Sequence, residues 1–392
     1  MTVLIRNVNT SISMSLTVLK LVGFWAPEGM AERKKIMYYC YSCFSFMFLL
    51  GTYLIIQIVD LFMIWGNLPL MTGTAFVLFT NLAQTVKIVN ILAKREKIQK
   101  IIYDADDVLR KEDTEEGIKI VKRCNRETMI LQVLYLSLTL ITTTGWATSA
   151  EKGQLPLRAW YPYNTSKSPA FELTYLHQVG AINIAACLNV GKDTLVSALI
   201  AQCRCRLQLL GLSLKTLCKD MKMSKKLVYT QDQEAVAAER LRKCVAQHQA
   251  ALQTAVDLQA CFSIPTFLQF FISLIIICVT AFQLVSQTGN LVRLMSMGTY
   301  LLNMMFQVFI YCYQGHHLSE ESADVAVSAY ECPWYACSVR LRRDILVIMT
   351  RTRRLARITA GGFTTLSLAS FMSIIKASYS LFTLLQQVNE EN

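Results

Sequence analysis

An all-α membrane protein with seven transmembrane helices is the fold this sequence predicts, on three observations. Its 392 residues are 53% hydrophobic and only 17% charged, whereas soluble domains carry about 25% charged residues. The apolar residues cluster into seven runs, and a bilayer core about 30 Å thick is spanned by roughly 20 apolar residues of helix. The runs do not alternate as barrel strands do, and open sheet edges cannot sit in lipid. Mean hydropathy is +0.36. These values exclude a soluble multidomain enzyme, and also a disordered chain, which needs low hydrophobicity with high net charge.

The spans, named S1 to S7, are Met37–Trp65, Pro69–Leu92, Met129–Thr148, Leu173–Ala201, Cys261–Val285, Leu291–Tyr313 and Ile358–Val388. S1 opens with MYYCYSCFSFMFLLGTYLIIQIV, which carries no charge. It starts too far along, and runs too long, for a cleavable signal peptide, so it reads as a signal anchor. S5 and S6 are nearly as apolar, while S4 and S7 contain polar residues.

Loop charge sets the expected orientation. Lys and Arg number 32 in one alternating set of flanking segments and 4 in the other, counting Arg293 at the very start of S6 with the latter, while Lys87, Lys192 and Lys376 lie deeper inside spans. By the positive-inside rule the N-terminus is cytosolic and the C-terminus extracellular. The net charge of +12 then belongs to the cytosolic membrane face and its anionic lipid, and no nucleic-acid partner is expected. The thirteen cysteines avoid the outer loops, so no extracellular disulfide is expected. Asn164 begins a glycosylation sequon in the outer S3–S4 loop, and a second sequon at Asn9 lies on the cytosolic side and should be silent.

The expected organisation follows. Residues 1–36 form a cytosolic arm and 37–201 hold S1–S4. Residues 202–260 extend S4 and S5 into the cytosol, because Leu207, Leu210, Leu214 and Leu217 repeat at helical spacing and proline breaks neither Leu199–Asp220 nor Gln233–Gln259. Residues 261–315 hold S5–S6, 316–357 a cytosolic connection with a helix around Tyr335–Met349, and 358–392 S7 with a short tail. The cytosolic stretches together read as an intracellular helical domain for scaffolding or subunit assembly. In the S3–S4 loop, Trp160, Tyr161 and Tyr163 suit headgroup anchoring, or could edge a ligand's route inward.

No enzyme constellation is present: no HExxH, GxSxG, P-loop or helix-opening GxGxxG occurs. Cys203-Arg-Cys205 lacks the second pair a zinc site needs. His316 and His317, with Glu320 and Glu321, sit where S6 leaves the membrane, and adjacent histidines point to different faces. No catalytic residue, metal or cofactor is expected. S7 is the most informative helix, with nine Ser or Thr between Thr359 and Thr383. Lys376, Ser380, Thr383 and Gln387 form one stripe, which suits a helix lining water; packing by small and hydroxyl residues suits it equally.

YCYQGHHLSEESADVAVSAYECPWY (Tyr311–Tyr335) and LVIMTRTRRLARITAGGFTTLSLASFMSIIKASYSLFTLLQ (Leu346–Gln386) resemble the S6-end and S7 motifs of the insect odorant receptors. Length, span count and topology agree with that family along the whole chain. Gustatory receptors share the architecture, but the TYxxxxxF pattern usual in their S7 is missing from S7 of this chain. The resemblance implies a tuning subunit of an odorant-gated cation channel in the plasma membrane of an olfactory neuron. Such subunits assemble with a common co-receptor, which has a longer S4–S5 loop, into tetramers around one S7-lined pore. A small volatile ligand then sits in the outer half of S2–S6.

Carried over residue by residue, the resemblance implies a gate at Leu384, Gln387 and Val388. Lys376 departs from what a cation pore wants, and its long stem allows it to snorkel from the axis. The family's S3 spacing points to Thr139, Thr142 and Trp146 in the pocket. Phe76, His177, Ala181, Ile184 and Tyr300 are chosen only by depth and helical face, where bundle packing competes with ligand contact. A gustatory-type channel is the first alternative, and a metabotropic receptor or a transporter the second.

Overall fold

The computed structural model describes residues 9–27, 30–66, 68–148, 155–165, 167–221, 229–286 and 291–390. Among them, seven helices are long and apolar enough to cross a membrane. The first span is a composite of α2 (Glu32–Cys43), a π-helical stretch (Phe44–Gly51) and α3 (Thr52–Met63). The others are α4 (Leu68–Ala93), α6 (Glu115–Thr148), α7 (Ala170–Lys215), α8 (Gln231–Ser286), α9 (Leu291–Glu331) and α11 (Leu368–Glu390). The shorter helices are α1 (Thr10–Leu21), α5 (Arg95–Arg110) and α10 (Val339–Arg351).

Helix α7 is the axis of the molecule. Every residue from Leu188 to Leu207 is buried, so the helix has no lipid face over five turns. It packs against α1, α6, α8 and α9. By contrast, the first span and α11 leave most of their surface outside the bundle, with Met37, Phe44, Met47, Met372, Tyr379 and Leu384 exposed. Such apolar surface suits lipid or another protein, not water.

Helices α7 and α8 continue unbroken well beyond the membrane-length runs of S4 and S5. Leu207, Leu210 and Leu214 join Leu241, Cys244, Leu341 and Ile345 in one buried cluster with α10. Cys203 and Cys205 are buried within α7, as structural packing residues are. His316 and His317 both reach Glu320, at 3.3 and 2.8 Å; no group of metal ligands is present among the described residues.

Two elements differ from the sequence reading. Within the N-terminal arm, where the sequence reading places no helix, residues 10–21 form one, and α1 buries Ser11, Ser15 and Leu19 against the bundle. The side chain of Asn9 caps α1 and accepts from Gln202 Nε2 at 2.8 Å. That places the Asn9 sequon in the core, closed to modification. Gly23, at φ +86°, ends α1 in the left-handed conformation common after helices.

The second difference is the start of the last helix. Residues Thr359–Ala360 and Thr364–Thr365 pair as a two-stranded hairpin, and the helix begins only at Leu368. Gly361 and Gly362 turn the hairpin at φ +62° and +81°, angles that only glycine adopts cheaply. The hairpin leads the chain past α9 at Gly315, where an added Cβ would lie 2.7 Å from the Leu366 carbonyl oxygen. The segment at Leu366 approaches α9 closely there because position 315 has no side chain.

Candidate ligand cavity and the polar layer beneath it

A cavity of about 60 Å³ lies between α3, α4, α6, α7 and α9, at the bundle end that carries the 155–165 loop. Trp146 and Tyr300 form one aromatic wall, their ring centroids 4.9 Å apart. Tyr300 hydroxyl and Thr80 Oγ1 are hydrogen-bonded at 2.6 Å. Thr139 and Thr142 complete that side, and both donate their hydroxyls back to their own helix, to Tyr135 O and Leu138 O. Tyr53, Gln84, Asn189, Asn303 and Met304 line the rest.

The loop closes the outer end. Leu157 is buried in the same apolar cluster as Trp146 and Tyr300. Its backbone is tied to Gln178 twice, at 3.2 Å (N to Oε1) and 3.0 Å (Nε2 to O). Arg158 Nε meets the buried Asp60 carboxylate at 3.3 Å, and Thr74 Oγ1 donates to it at 2.7 Å. Aromatic anchors at Trp160 and Tyr163 are partly exposed beyond this lid.

One turn below the cavity floor lies a buried polar layer centred on Asp193. Lys87 Nζ reaches Asp193 Oδ1 at 2.6 Å, with both side chains almost fully buried. Tyr311 hydroxyl donates to Oδ1 at 2.8 Å and Tyr135 hydroxyl to Oδ2 at 3.3 Å. Gln307 Nε2 also donates to Asp193, and Gln307 Oε1 accepts from Gln269 Nε2 at 2.9 Å. Lys192, also buried, donates to Gln84 O at 3.2 Å. Helices α4, α6, α7, α8 and α9 thus share one network. Ionisable groups at membrane depth are costly and normally face the bundle interior in pairs, as here.

Of the pocket residues read from sequence, Thr139, Thr142, Trp146 and Tyr300 line the cavity. His177 lies outside that lining, with Nε2 3.0 Å from Thr52 Oγ1 and its ring beside Phe48 and Tyr53. Ala181 is fully buried in the surrounding cluster, and Ile184 packs against the main core; their neighbours Ile182, Ala185 and Ala186 face the cavity instead. Phe76 falls within α4, but its side chain lies outside the described residues. The first span contributes Tyr53, whereas α8 contributes no lining residue. Tyr53, Gln84, Asn189 and Asn303 were not anticipated. The available signal was polar residues recurring inside otherwise apolar spans.

The proposed gate residues lie on the free side of α11. Phe371 and Ile374 pack on the core and Ser378 is buried, while Lys376, Ser380, Leu384 and Gln387 are exposed. Val388 lies in the same helix, with its side chain outside the described residues. Asn164 is exposed, and Ser166 of its sequon is outside the described residues. A larger hollow of about 990 Å³ is an open groove along α6, bordered by Glu112, Lys122 and Arg126; it encloses nothing.

Seven lipid-length helices around a buried axial helix, with a lidded cavity and no catalytic constellation, define a seven-helix membrane receptor architecture. A family model described as 7tm Odorant receptor matches residues 67–379, and the chain belongs to that family. It is 24% identical to Odorant receptor Or1 of Anopheles gambiae over 97% of this chain and 96% of that one. It is also 24% identical to Odorant receptor 46a, isoform A, of Drosophila melanogaster, over 80% and 81%. These relatives are receptors, not enzymes. The fold is similar to that of the insect olfactory receptor OR5 from Machilis hrabei in complex with eugenol, with TM-score 0.83 and 18% identity over 97% of this chain and 99% of that one.

Proposed function

We propose that this chain is an odorant-tuning subunit of a ligand-gated, non-selective cation channel in the plasma membrane, working with a co-receptor subunit. The observation that carries the reading is the lidded cavity walled by Trp146 and Tyr300 in a member of the odorant receptor family. The structural relative whose complex holds eugenol supports a small organic ligand. The exposed stripe of α11, with Lys376, Ser380 and Gln387 on it, supports a pore role, since polar residues in a span suit a helix that lines water. Gating is a population shift: the ligand binds the open form better than the closed form. Helix α9 links cavity to pore helix, because it lines the first and packs against the second. No cofactor or metal takes part.

Orientation separates this reading from a metabotropic receptor. A tag after Asn392 is expected to be accessible on intact cells and a tag before Met1 is not, given the 32-to-4 charge asymmetry. Antibody labelling of unpermeabilised cells checks it, and a cytosolic C-terminus would remove the channel reading.

The cavity is tested at its aromatic wall. Trp146→Ala should raise the half-maximal ligand concentration roughly 5- to 150-fold, the equivalent of about 1–3 kcal/mol of lost contact. Surface level should change little. A variant with normal surface level and an unchanged dose–response curve would assign Trp146 to packing alone.

A further inference from the structure

The hydrogen-bonding capacity of the cavity wall restricts the ligand further. Four side-chain amides line it, and three of them, Gln84, Asn189 and Asn303, are more than nine-tenths buried; the fourth, Asn81, donates its Nδ2 to Gln57 Oε1 at 2.9 Å. Each has one end committed. Gln84 Nε2 donates to Ala185 O at 2.9 Å. Asn189 Nδ2 lies 3.4 Å from the Tyr135 hydroxyl, whose own proton goes to Asp193. Both assignments leave a carbonyl oxygen without a partner among the described residues.

Asn303 needs a further step. Thr139 Oγ1 lies 2.9 Å from Tyr135 O and 3.2 Å from Asn303 Oδ1. A hydroxyl has one proton, and the shorter backbone bond takes it. Thr139 Oγ1 is then an acceptor toward Asn303, whose NH2 turns to it and whose oxygen turns to the cavity. Amide orientation is assigned from such networks. The hydroxyl of Thr142 likewise spends its proton on its own helix, on Leu138 O. The wall is therefore rich in acceptors. A donor without a partner is the hydroxyl of Tyr53, which is 1% exposed and lines the same cavity.

Buried polar groups left without partners are expensive, and a site lined by them discriminates strongly for ligands that satisfy them. A carbonyl compound or an ether offers only acceptors. An ammonium compound offers donors, but no carboxylate lines the cavity, and the carboxylates of Asp193 and Asp60 are already paired with Lys87 and Arg158. The buried Lys192 lies beside Gln84, so a ligand cation would enter this cavity without a counter-charge, which is costly. A neutral hydroxyl both donates and accepts.

We propose that the cavity selects small neutral hydroxyl compounds, alcohols or phenols, over the matching carbonyl compounds, ethers and amines. The ligand is also small: an engineered cavity of about 150 Å³ accepts benzene, and this one holds about 60 Å³. Binding enlarges it by moving Met304, whose unbranched side chain adapts at low cost. The inference rests on the odorant-receptor reading above and adds the ligand's chemical class.

The test uses the full chain co-expressed with an odorant receptor co-receptor in oocytes, with current recorded against three matched skeletons. These are pentan-1-ol, pentanal, 1-methoxybutane and pentan-1-amine; cyclohexanol, cyclohexanone and methoxycyclohexane; and phenol, benzaldehyde and anisole. In at least one skeleton the hydroxyl compound should act at a concentration about tenfold or more below its relatives. Asn189→Leu and Asn303→Leu, checked for surface level by biotinylation, should each shrink that preference to about threefold or less. A carbonyl compound or ether that equals the alcohol in every responding skeleton overturns the inference. So does a preference left intact in both variants at the surface, or silence of all hydroxyl compounds while other volatiles drive current. If no volatile drives current through a surface-expressed pair, the odorant-gating reading itself fails.

Discussion

Asp193→Ala is expected to leave little or no protein at the cell surface. The wild-type carboxylate holds the Lys87 ammonium at 2.6 Å and accepts from Tyr135, Tyr311 and Gln307. Alanine strips all four donors of their acceptor at once, in a layer with no access to water. Removing one partner of a buried pair costs about 3–5 kcal/mol, and native proteins are stable by only about 5–15 kcal/mol. Lys192, buried one position earlier in α7, loses the neighbouring carboxylate as well. The double variant Lys87→Met, Asp193→Leu should recover much of the surface level, because replacing both partners by apolar groups of similar volume is close to neutral. Biotinylation of single and double variants, normalised to total protein, decides it. If Asp193→Ala reaches the surface at the wild-type level, the network does not hold the helices together.

The same layer shows what can be read from one sequence and what cannot. Lys87 and Lys192 stand out as charges inside spans, but their partners lie about a hundred positions away, and no local pattern connects them. The spans themselves are legible because bilayer thickness imposes a length on apolar runs. Helix α11 is not legible at its start: hydropathy runs on through Ile358–Ser367, while paired glycines bend that segment into a hairpin. Helix α1 turns serines toward the core, the reverse of the usual amphipathic pattern, so the sequence reading places no helix there.

Pocket positions follow the same logic. In α6, Thr139, Thr142 and Trp146 share one face at spacings of three and four, and that face lines the cavity. In α7 the expected residues Ala181 and Ile184 fall one position before the lining residues Ile182 and Ala185. Periodicity gives a helix its phase only when one face is polar or exposed. Ala181, Ile182, Ile184 and Ala185 are all apolar, so the sequence offers little such contrast there. One residue of error turns a helical position by about 100°, which is enough to exchange ligand contact for core packing.

At the pore end the expected result is a leaky channel. Leu384 is 57% exposed on α11 and Gln387 shares that free face, so neither side chain holds the isolated subunit together. Leu384→Ser should therefore leave folding and surface level nearly unchanged. A narrow apolar constriction stops ions by dewetting, so a hydroxyl there should favour a wet pore and raise ligand-independent current several-fold. Gln387→Ala should change relative ion permeability without changing which compounds activate, because the cavity residues lie on other helices. The co-receptor contributes its own residues to the same ring, which reduces the size of both effects but not their kind. Current without ligand and reversal potentials in mixed-cation solutions measure them. A Gln387→Ala channel with altered ligand choice and unchanged permeability would place α11 in ligand recognition and remove it from the pore.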